Sequence, residues 1–349
     1  MMPLKDYKPE KIIVRMPNWI GDMVMATPVL TDLRRTYPNA HITAMCRTPI
    51  SDLLREDRAI DELFTFSKIN NFGRRNDRRD IILKLKEGKY DLGILLTHSF
   101  SSAWWFWLGN VKRRLGFKGN GRGLLLTDKL PLPENVHEQH LVETYKMLLQ
   151  PLGIPISQTK PRIDLTEQEM ADAKTLLKQR GITSSNIVIG INPGATYGSA
   201  KCWLPERFRE VTERLIKLDK VRVIYFGDQA TIPLVKEICQ GLPSVVNLTG
   251  VTTIRELAAL IKECQVVLTN DSGPMHLAAA VGTPLVALFG STNEKATGPY
   301  KTGTVIHKHV SCSPCYKRVC PIDFRCMKQI EVDEVYNEVI RTVKELSHD

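Results

Sequence analysis

Long hydrophobic runs are missing from this sequence. Stretches such as Leu124–Leu126 and Leu285–Phe289 fall far short of the ~20 apolar residues that a bilayer-spanning helix requires. The opening segment MMPLKDYKPEK has no apolar core of the kind a secretory signal carries, so a cytoplasmic protein is expected. There is no internal repeat, no low-complexity tract, no Walker phosphate loop and no nucleic-acid-binding module. Aromatic residues do not alternate with basic ones, which argues against nucleic acid as the partner. The composition, 43% hydrophobic and 25% charged, is that of a folded globular chain.

The length of 349 residues predicts two domains, because single cores seldom grow past ~250 residues. The net charge of +10 is unevenly divided: residues 1–160 carry 25 Lys+Arg against 17 Asp+Glu, whereas residues 161–349 carry 23 against 21. An excess on one half suggests that this half meets something acidic, whether nucleic acid, an anionic membrane surface or a phosphorylated substrate. Strand-like and amphipathic helical runs alternate throughout, the pattern of α/β domains built on parallel sheets. In the first half KIIVRM (11–16), HITAMC (41–46), LFTF (63–66), DLGILL (91–96) and the region 111–116 read as strands, with helices over 22–37, 77–87, 100–108 and 137–150. The second half repeats the rhythm, with strands at 186–194 and 221–228, helices at 204–218 and 253–264, and a final helix at 332–346. The segment PLGIPISQTKPRIDL (151–165), with three prolines, predicts the linker between domains 1–160 and 161–349. Two similar α/β halves joined by a linker predict a ligand cleft between them, at the C-terminal ends of their strands.

Three passages put chemistry where a strand gives way to a helix or loop. In VVLTNDSGPMHLAAAVGTPLVALFG (266–290) an apolar run stops at Asn270-Asp271-Ser272-Gly273-Pro274. Pro274 suits a first helical turn and Gly273 allows close backbone approach, so the helix mouth, with Ser272 and His276 nearby, suits a phosphate as well as an ordinary cap. NPGATYGSAKCW (192–203) sets Gly194, Thr196, Gly198 and Ser199 ahead of Lys201, either a diphosphate-cradling loop or a plain surface loop. PNWIGDMVMATP (17–28) starts the first helix with Asp22, which reads either as a general base for a hydroxyl or as a charge matched to the helix end.

Other clusters are less specific. GRRNDRR (73–79), with Arg74, Arg75, Arg78 and Arg79, and the pair Arg113-Arg114 supply much of the basic excess, and Arg122 adds to it. SSAWWFWLGN (101–110) packs Trp104, Trp105, Phe106 and Trp107 into one helix, more aromatic surface than one buried face usually takes. Four of the eight cysteines, Cys312, Cys315, Cys320 and Cys326, fall within fifteen residues. In a cytoplasmic protein this favours reduced thiols or a structural zinc over disulfides, although the spacing is not that of a zinc ribbon.

Taken in order, PNWIGDMVMATPVL, HLVETYKMLL, NPGATYGSAKCWLPERF and LTNDSGPMHLAAAVGTPLVALFG make the chain resemble the lipopolysaccharide heptosyltransferases of glycosyltransferase family 9. The resemblance implies a GT-B fold, two Rossmann-like parallel-sheet domains, the first binding acceptor and the second nucleotide sugar. It implies Asp22 as catalytic base and Thr196, Lys201, Asp271, Ser272, Gly273 and His276 as donor-site positions, with Lys201 offsetting charge on the departing ADP. Where a relative carries a nucleoside-binding Glu, this chain has Gln229, which departs from the pattern but can still bind a ribose hydroxyl. The implied donor is ADP-heptose and the implied acceptor an anionic, membrane-bound Kdo-lipid A core. A single displacement of this kind inverts the anomeric centre and needs no cofactor. The basic first half, through Arg74, Arg75, Arg78 and Arg79 with Arg113, Arg114 and Arg122, is then the acceptor half, in peripheral contact with the inner membrane. Transfer of another sugar or to another core position, and a sugar-nucleotide epimerase of the same fold, are the alternatives; a basic nucleic-acid-binding protein stands last.

Overall fold

The computed structural model describes residues 2–67 and 75–345. The chain divides after Asp164 into two units. Unit one is built from β1 (Lys11–Arg15), α1 (Ile20–Thr36), β2 (His41–Arg47), β3 (Glu62–Phe66), α2 (Arg75–Gly88), β4 (Leu92–Leu95), α3 (Phe100–Leu108), β5 (Arg113–Phe117), β6 (Asp128–Leu130) and α4 (Leu141–Met147). Unit two follows with α5 (Glu167–Gln179), β7 (Ile187–Asn192), α6 (Pro205–Leu215), β8 (Val221–Tyr225), α7 (Ile232–Ile238), β9 (Val246–Asn247), α8 (Ile254–Lys262) and β10 (Val266–Asn270). It ends with α9 (Gly273–Val281), β11 (Leu285–Phe289), α10 (Glu294–Thr297), β12 (Thr304–His307), α11 (Arg325–Lys328) and α12 (Val332–Glu345).

Each unit holds one six-stranded sheet, ordered β3-β2-β1-β4-β5-β6 in the first and β9-β8-β7-β10-β11-β12 in the second, with every neighbouring pair parallel. Both orders are the doubly wound one, in which the sheet grows outward in two directions from its first strand. Parallel strands need crossover helices, and these cover both faces. That is why β4, β10 and β11 are buried at every position and read as continuous apolar runs. Each unit is thus a Rossmann-like domain, and the pair is the GT-B set of parts that the sequence predicts.

Two local details bear on function. Pro28 lies inside α1 and has no N–H for the Val24 carbonyl four residues back; the Thr27 hydroxyl donates to that carbonyl at 2.8 Å instead. The same hydroxyl accepts the Arg162 N–H at 3.1 Å. The expected linker is therefore largely part of unit one. Buried Asp32 of α1 accepts from the Ser157 and Thr159 hydroxyls at 2.6 and 2.7 Å, and Arg162 pairs with Asp57 at 2.9 Å. Prolines keep the segment extended, and the buried carboxylates pin it down. The helix expected over 137–150 is shorter, confined to Leu141–Met147. Among the described residues no helix is long and apolar enough to cross a membrane.

Candidate active site

Strand order reverses between β1 and β4 in unit one and between β7 and β10 in unit two, and open parallel sheets bind ligands beyond the C-terminal ends of such strands. The three passages singled out from the sequence leave β1, β7 and β10 at those ends.

In unit two, side chains of the strands themselves tie the loops together. Asn270, fully buried at the end of β10, accepts the Trp203 N–H at 3.0 Å and donates to the Pro193 carbonyl at 2.6 Å, so one amide fixes both ends of the 193–203 loop. Asn192, ending β7, donates to the Gly194 carbonyl and to Ser272 Oγ, both at 3.0 Å. Ser272 is the N-cap residue of α9, yet its hydroxyl makes no cap bond; it faces Asn192 and Thr269 instead. No side chain caps α9, and its opening turn, half-buried at Ser272, Gly273 and Pro274, presents N–H groups and the positive end of the helix dipole. Asp271 is buried and His276 lies buried within the first turn.

Lys201 is brought to this mouth. Its ammonium pairs with Asp271 at 2.5 Å, and the Thr292 hydroxyl donates to the same carboxylate oxygen at 2.5 Å. The lysine also lies over the Tyr197 ring, 4.9 Å from its centroid, and the Arg318 guanidinium lies 5.4 Å from that centroid. The cysteine-rich segment buttresses the loop: the Arg318 carbonyl accepts the Ala200 N–H at 3.0 Å, and the Tyr316 carbonyl accepts the Tyr197 hydroxyl at 2.8 Å. Gly198 is required here. Its φ is 156°, and a Cβ would sit 2.2 Å from the Arg318 oxygen. Thr196 is exposed on the loop, and Gln229 is exposed beyond β8 with its amide bonded to the Gly250 carbonyl at 2.5 Å.

Unit one offers a different arrangement. Asp22 is half-buried in the first turn of α1, whose N-cap residue Trp19 supplies no cap bond. Burial and the nearby Asp22 carboxylate push the Tyr145 phenol well above its ordinary value, so Tyr145 stays neutral. His98, just beyond β4, stacks on Phe117 with ring centroids 5.8 Å apart. Burial and the Arg122 charge lower its pKa, which favours the neutral imidazole. Arg122 itself is fully buried; it donates to the Phe117 carbonyl at 2.9 Å and to the Thr97 carbonyl, while Nη2 is buried without a hydrogen-bond partner. Burial lowers its pKa to about 10, and among the described residues no carboxylate lies within ion-pair distance of it. The Nη2 nitrogen is itself shut off from solvent, so the Arg122 guanidinium, like that of Arg113, is not a surface contact for an incoming oxyanion.

The other basic candidates fare unevenly. Arg78 and Arg79 are exposed on α2, whereas Arg74 and the side chain of Arg75 lie outside the described residues. Arg113 and Arg114 are corrections to the expected acceptor set. Arg113 is buried, grips Asp128 through two nitrogens and donates to the Met2 carbonyl at 2.8 Å. Arg114 donates to the Leu125 and Val111 carbonyls, each at 2.6 Å. Both close the β5–β6 edge, so neither guanidinium is available as a solvent-facing anion contact. The four cysteines stand apart in the structure. All four are free thiols, and among the described residues no three of their sulfurs lie within 4.8 Å of one another.

Asn192, Asn270, Thr292, His98 and Tyr145 join these candidate sites in the structure, and the sequence reading did not single them out. The two asparagines left a usable signal, a polar residue closing an otherwise apolar strand. Thr292 and Tyr145 left none, since only the fold brings them to their partners.

Comparison with known proteins agrees with this geometry. Residues 78–324 match the model of glycosyltransferase family 9 (heptosyltransferase). The chain is 32% identical to lipooligosaccharide heptosyltransferase 2 of Haemophilus influenzae, covering 82% of this chain and 85% of the relative. It is 31% identical to lipopolysaccharide heptosyltransferase 2 of Escherichia coli, with 83% and 85% covered. Among solved structures, the ADP-heptose LPS heptosyltransferase II of E. coli superposes with a TM-score of 0.81 at 27% identity, over 97% of this chain and 99% of that one. With two doubly wound units, a phosphate-ready helix mouth and a family match across most of its length, the chain belongs to glycosyltransferase family 9, the heptosyltransferases.

Proposed function

We propose that the protein moves heptose from ADP-heptose to the anionic inner core of lipopolysaccharide. The observation that carries this reading is the uncapped mouth of α9 with Lys201 drawn to it through Asp271. A diphosphate seated there meets N–H groups, the helix dipole and one ammonium, which together stabilise the negative charge that builds on departing ADP. No metal is needed for that task. Asp22 takes the proton of the acceptor hydroxyl as its oxygen attacks the anomeric carbon; the C–O bond to the diphosphate breaks and the centre inverts. Ser272, Gly273, Thr196 and His276 serve the donor, and Gln229, fixed by Gly250, keeps its carbonyl oxygen for a ribose hydroxyl.

On the acceptor side, exposed Arg78 and Arg79 supply attraction for the phosphates and carboxylates of the core. Peripheral contact with the membrane falls to α3. Phe100, Trp104 and Trp107 are 46%, 40% and 44% exposed and touch in sequence along one face, while Trp105 and Phe106 fill the core behind them. Aromatic rings of this kind favour the lipid headgroup level.

The test is to incubate the protein with ADP-heptose and truncated lipopolysaccharide, with GDP- and UDP-sugars as controls, and to identify the product. Heptosylated core made only from the ADP-sugar, and undiminished by EDTA, is expected. Turnover of the nucleotide sugar without acceptor would point to an epimerase instead. Loss of cosedimentation with anionic vesicles on replacing Phe100, Trp104 and Trp107 by Ser checks the membrane contact.

A further inference from the structure

Three potential metal ligands meet at the end of β12, in a cluster the transfer reaction does not use. The β11–β12 register sets His307 beside Phe289, and α10 starts with Glu294 after the intervening loop. His307 Nδ1 lies 2.7 Å from Glu294 Oε2, His309 Nε2 lies 3.7 Å from Glu294 Oε1, and the two imidazole centroids are 4.1 Å apart. One ligand atom from each residue falls within 4.8 Å of the other two. The His307 and Glu294 side chains are 3% and 17% exposed, and His309, 66% exposed, opens the cluster to solvent.

Hydrogen counting shows what the cluster lacks. Ser313 has one hydroxyl hydrogen and donates it to the Gly290 carbonyl, which can only accept. The 2.7 Å contact between Ser313 Oγ and His307 Nε2 must therefore carry the imidazole's hydrogen. His307 is held with Nε2 protonated, so its Nδ1 lone pair faces a carboxylate oxygen at 2.7 Å. Two lone pairs at that distance repel unless a cation lies between them. A second proton serves His307 alone, whereas a metal ion in that place also engages His309, whose Nε2 lies 3.7 Å from the other oxygen of the same carboxylate. His309 is also held at φ 45°, a region that non-glycine residues seldom adopt, which turns its backbone sharply just after the strand.

We propose that Glu294, His307 and His309 bind a divalent transition-metal ion of the zinc class, with water completing the shell. Two imidazoles and a carboxylate suit such an ion. A tetrahedron with ~2.05 Å bonds separates its ligands by about 3.3 Å, so the Glu294–His307 contact needs to open by only about half an ångström. Ser313 is the outer partner that fixes the ring and its tautomer. The ion ties α10 and β12 to the cysteine-rich segment through Ser313, and the loop between β11 and α10 carries the Thr292 hydroxyl that binds Asp271. The site stands independently of the sugar-transfer reading.

Calorimetric titration of metal-stripped full-length protein with Zn²⁺, with a parallel optical titration by Co²⁺, tests the proposal. We expect one equivalent bound. Affinity should fall at least about tenfold in Glu294→Gln and in His309→Ala, and ~10–100-fold in Ser313→Ala, which touches the ion only through His307. Zn²⁺ should raise the melting temperature of wild type but not that of Glu294→Gln or His309→Ala. Co²⁺ should give visible ligand-field bands without intense near-ultraviolet thiolate absorption. Absence of stoichiometric binding would leave only a proton between His307 and Glu294 and overturn the proposal. So would unchanged affinity in all three variants, or a thiolate band placing the ion on the cysteines.

Discussion

The two units share one strand order but prepare their strand ends in opposite ways. In unit two almost every polar group at the switch point already has a partner: Asn192, Asn270, Asp271, Lys201 and Thr292 form a connected set of hydrogen bonds. Unit one presents a half-buried carboxylate at a helix start, a neutralised His98 and a buried guanidinium with an open donor. A fixed network suits a ligand of constant shape, such as a nucleoside diphosphate. A half-buried carboxylate at a helix start suits a hydroxyl-bearing partner. The same strand order thus carries two different sets of side chains, because it is the loops after the strands rather than the sheets that differ.

The largest effect should come from the sparser side. Asp22→Asn keeps the shape of the helix start but removes the base, and turnover should fall ~10²–10⁴-fold. Donor affinity should stay close to wild type by calorimetry with ADP. A variant retaining most of its turnover would reduce Asp22 to a charge matched to its helix.

Unit two should respond in affinity instead. Lys201→Ala deletes an ammonium and also leaves the buried Asp271 carboxylate facing a diphosphate, so ADP should bind about 10–100-fold more weakly, the range of one lost charged hydrogen bond. Adding Asp271→Asn to Lys201→Ala should recover part of that loss, because the stranded charge is then gone. A bulky replacement of Gly273 should block the helix mouth and weaken ADP as well. Unchanged binding in all of these would move the phosphate site elsewhere.

The network itself can be broken without touching ligand. Asn270→Ala strands the Pro193 carbonyl and the Trp203 N–H, each costing about 1–3 kcal/mol when buried. Chemical denaturation should register that loss in unit two.

Smaller effects follow from exposed charge. Arg78→Ala with Arg79→Ala should raise the acceptor KM modestly and flatten its salt dependence, since exposed charges are screened beyond ~8 Å at physiological salt. Donor KM should hardly move. Kinetics across a salt series identical to wild type would leave these arginines as solvated surface.

Smallest is a pH effect confined to unit two. Hydrogen bonds from Arg255 hold the Glu169 carboxyl down to about 2 from its usual 4.5. A depressed folded pKa means that the stabilisation is complete above pH 4.5 and fades as the pH falls towards 2. Glu169→Gln should therefore flatten acid destabilisation in that window, which melting temperatures measured from pH 5 to 2.5 would reveal.

Much of this contrast is legible in the sequence, for physical reasons. Strands buried on both faces leave continuous apolar runs, and glycine, proline and small polar residues mark where they end; β1, β7, β10 and β11 stand out in this way. Asp22, Lys201 and the α9 mouth follow because each lies in the first segment after such an end. What stays hidden depends on contacts between distant segments. Nothing in the pair Arg113-Arg114 announces that Asp128 and the Leu125 carbonyl will claim it. The segment 151–165 reads as linker from its prolines, because the buried Asp32 that binds it lies more than a hundred residues away. Nor does the spacing of Cys312–Cys326 reveal that the backbone of Tyr316 and Arg318 supports the Lys201 loop.

The Thr27–Pro28 pair in α1 carries a consequence for how this sequence can drift. The Thr27 hydroxyl gives its hydrogen to the Val24 carbonyl that Pro28 leaves bare, and takes the Arg162 N–H on its oxygen. A mutation to Val at 27 would orphan both backbone groups at once. Replacing Pro28 alone, with a residue that has its own N–H, would free Thr27 from the first duty but not the second. The two positions are therefore expected to vary together, with a hydroxyl at 27 favoured wherever proline stands at 28 and the Arg162 N–H needs an acceptor. In an alignment of relatives, Pro at 28 should be preceded by Thr or Ser wherever the 157–162 segment folds back onto α1.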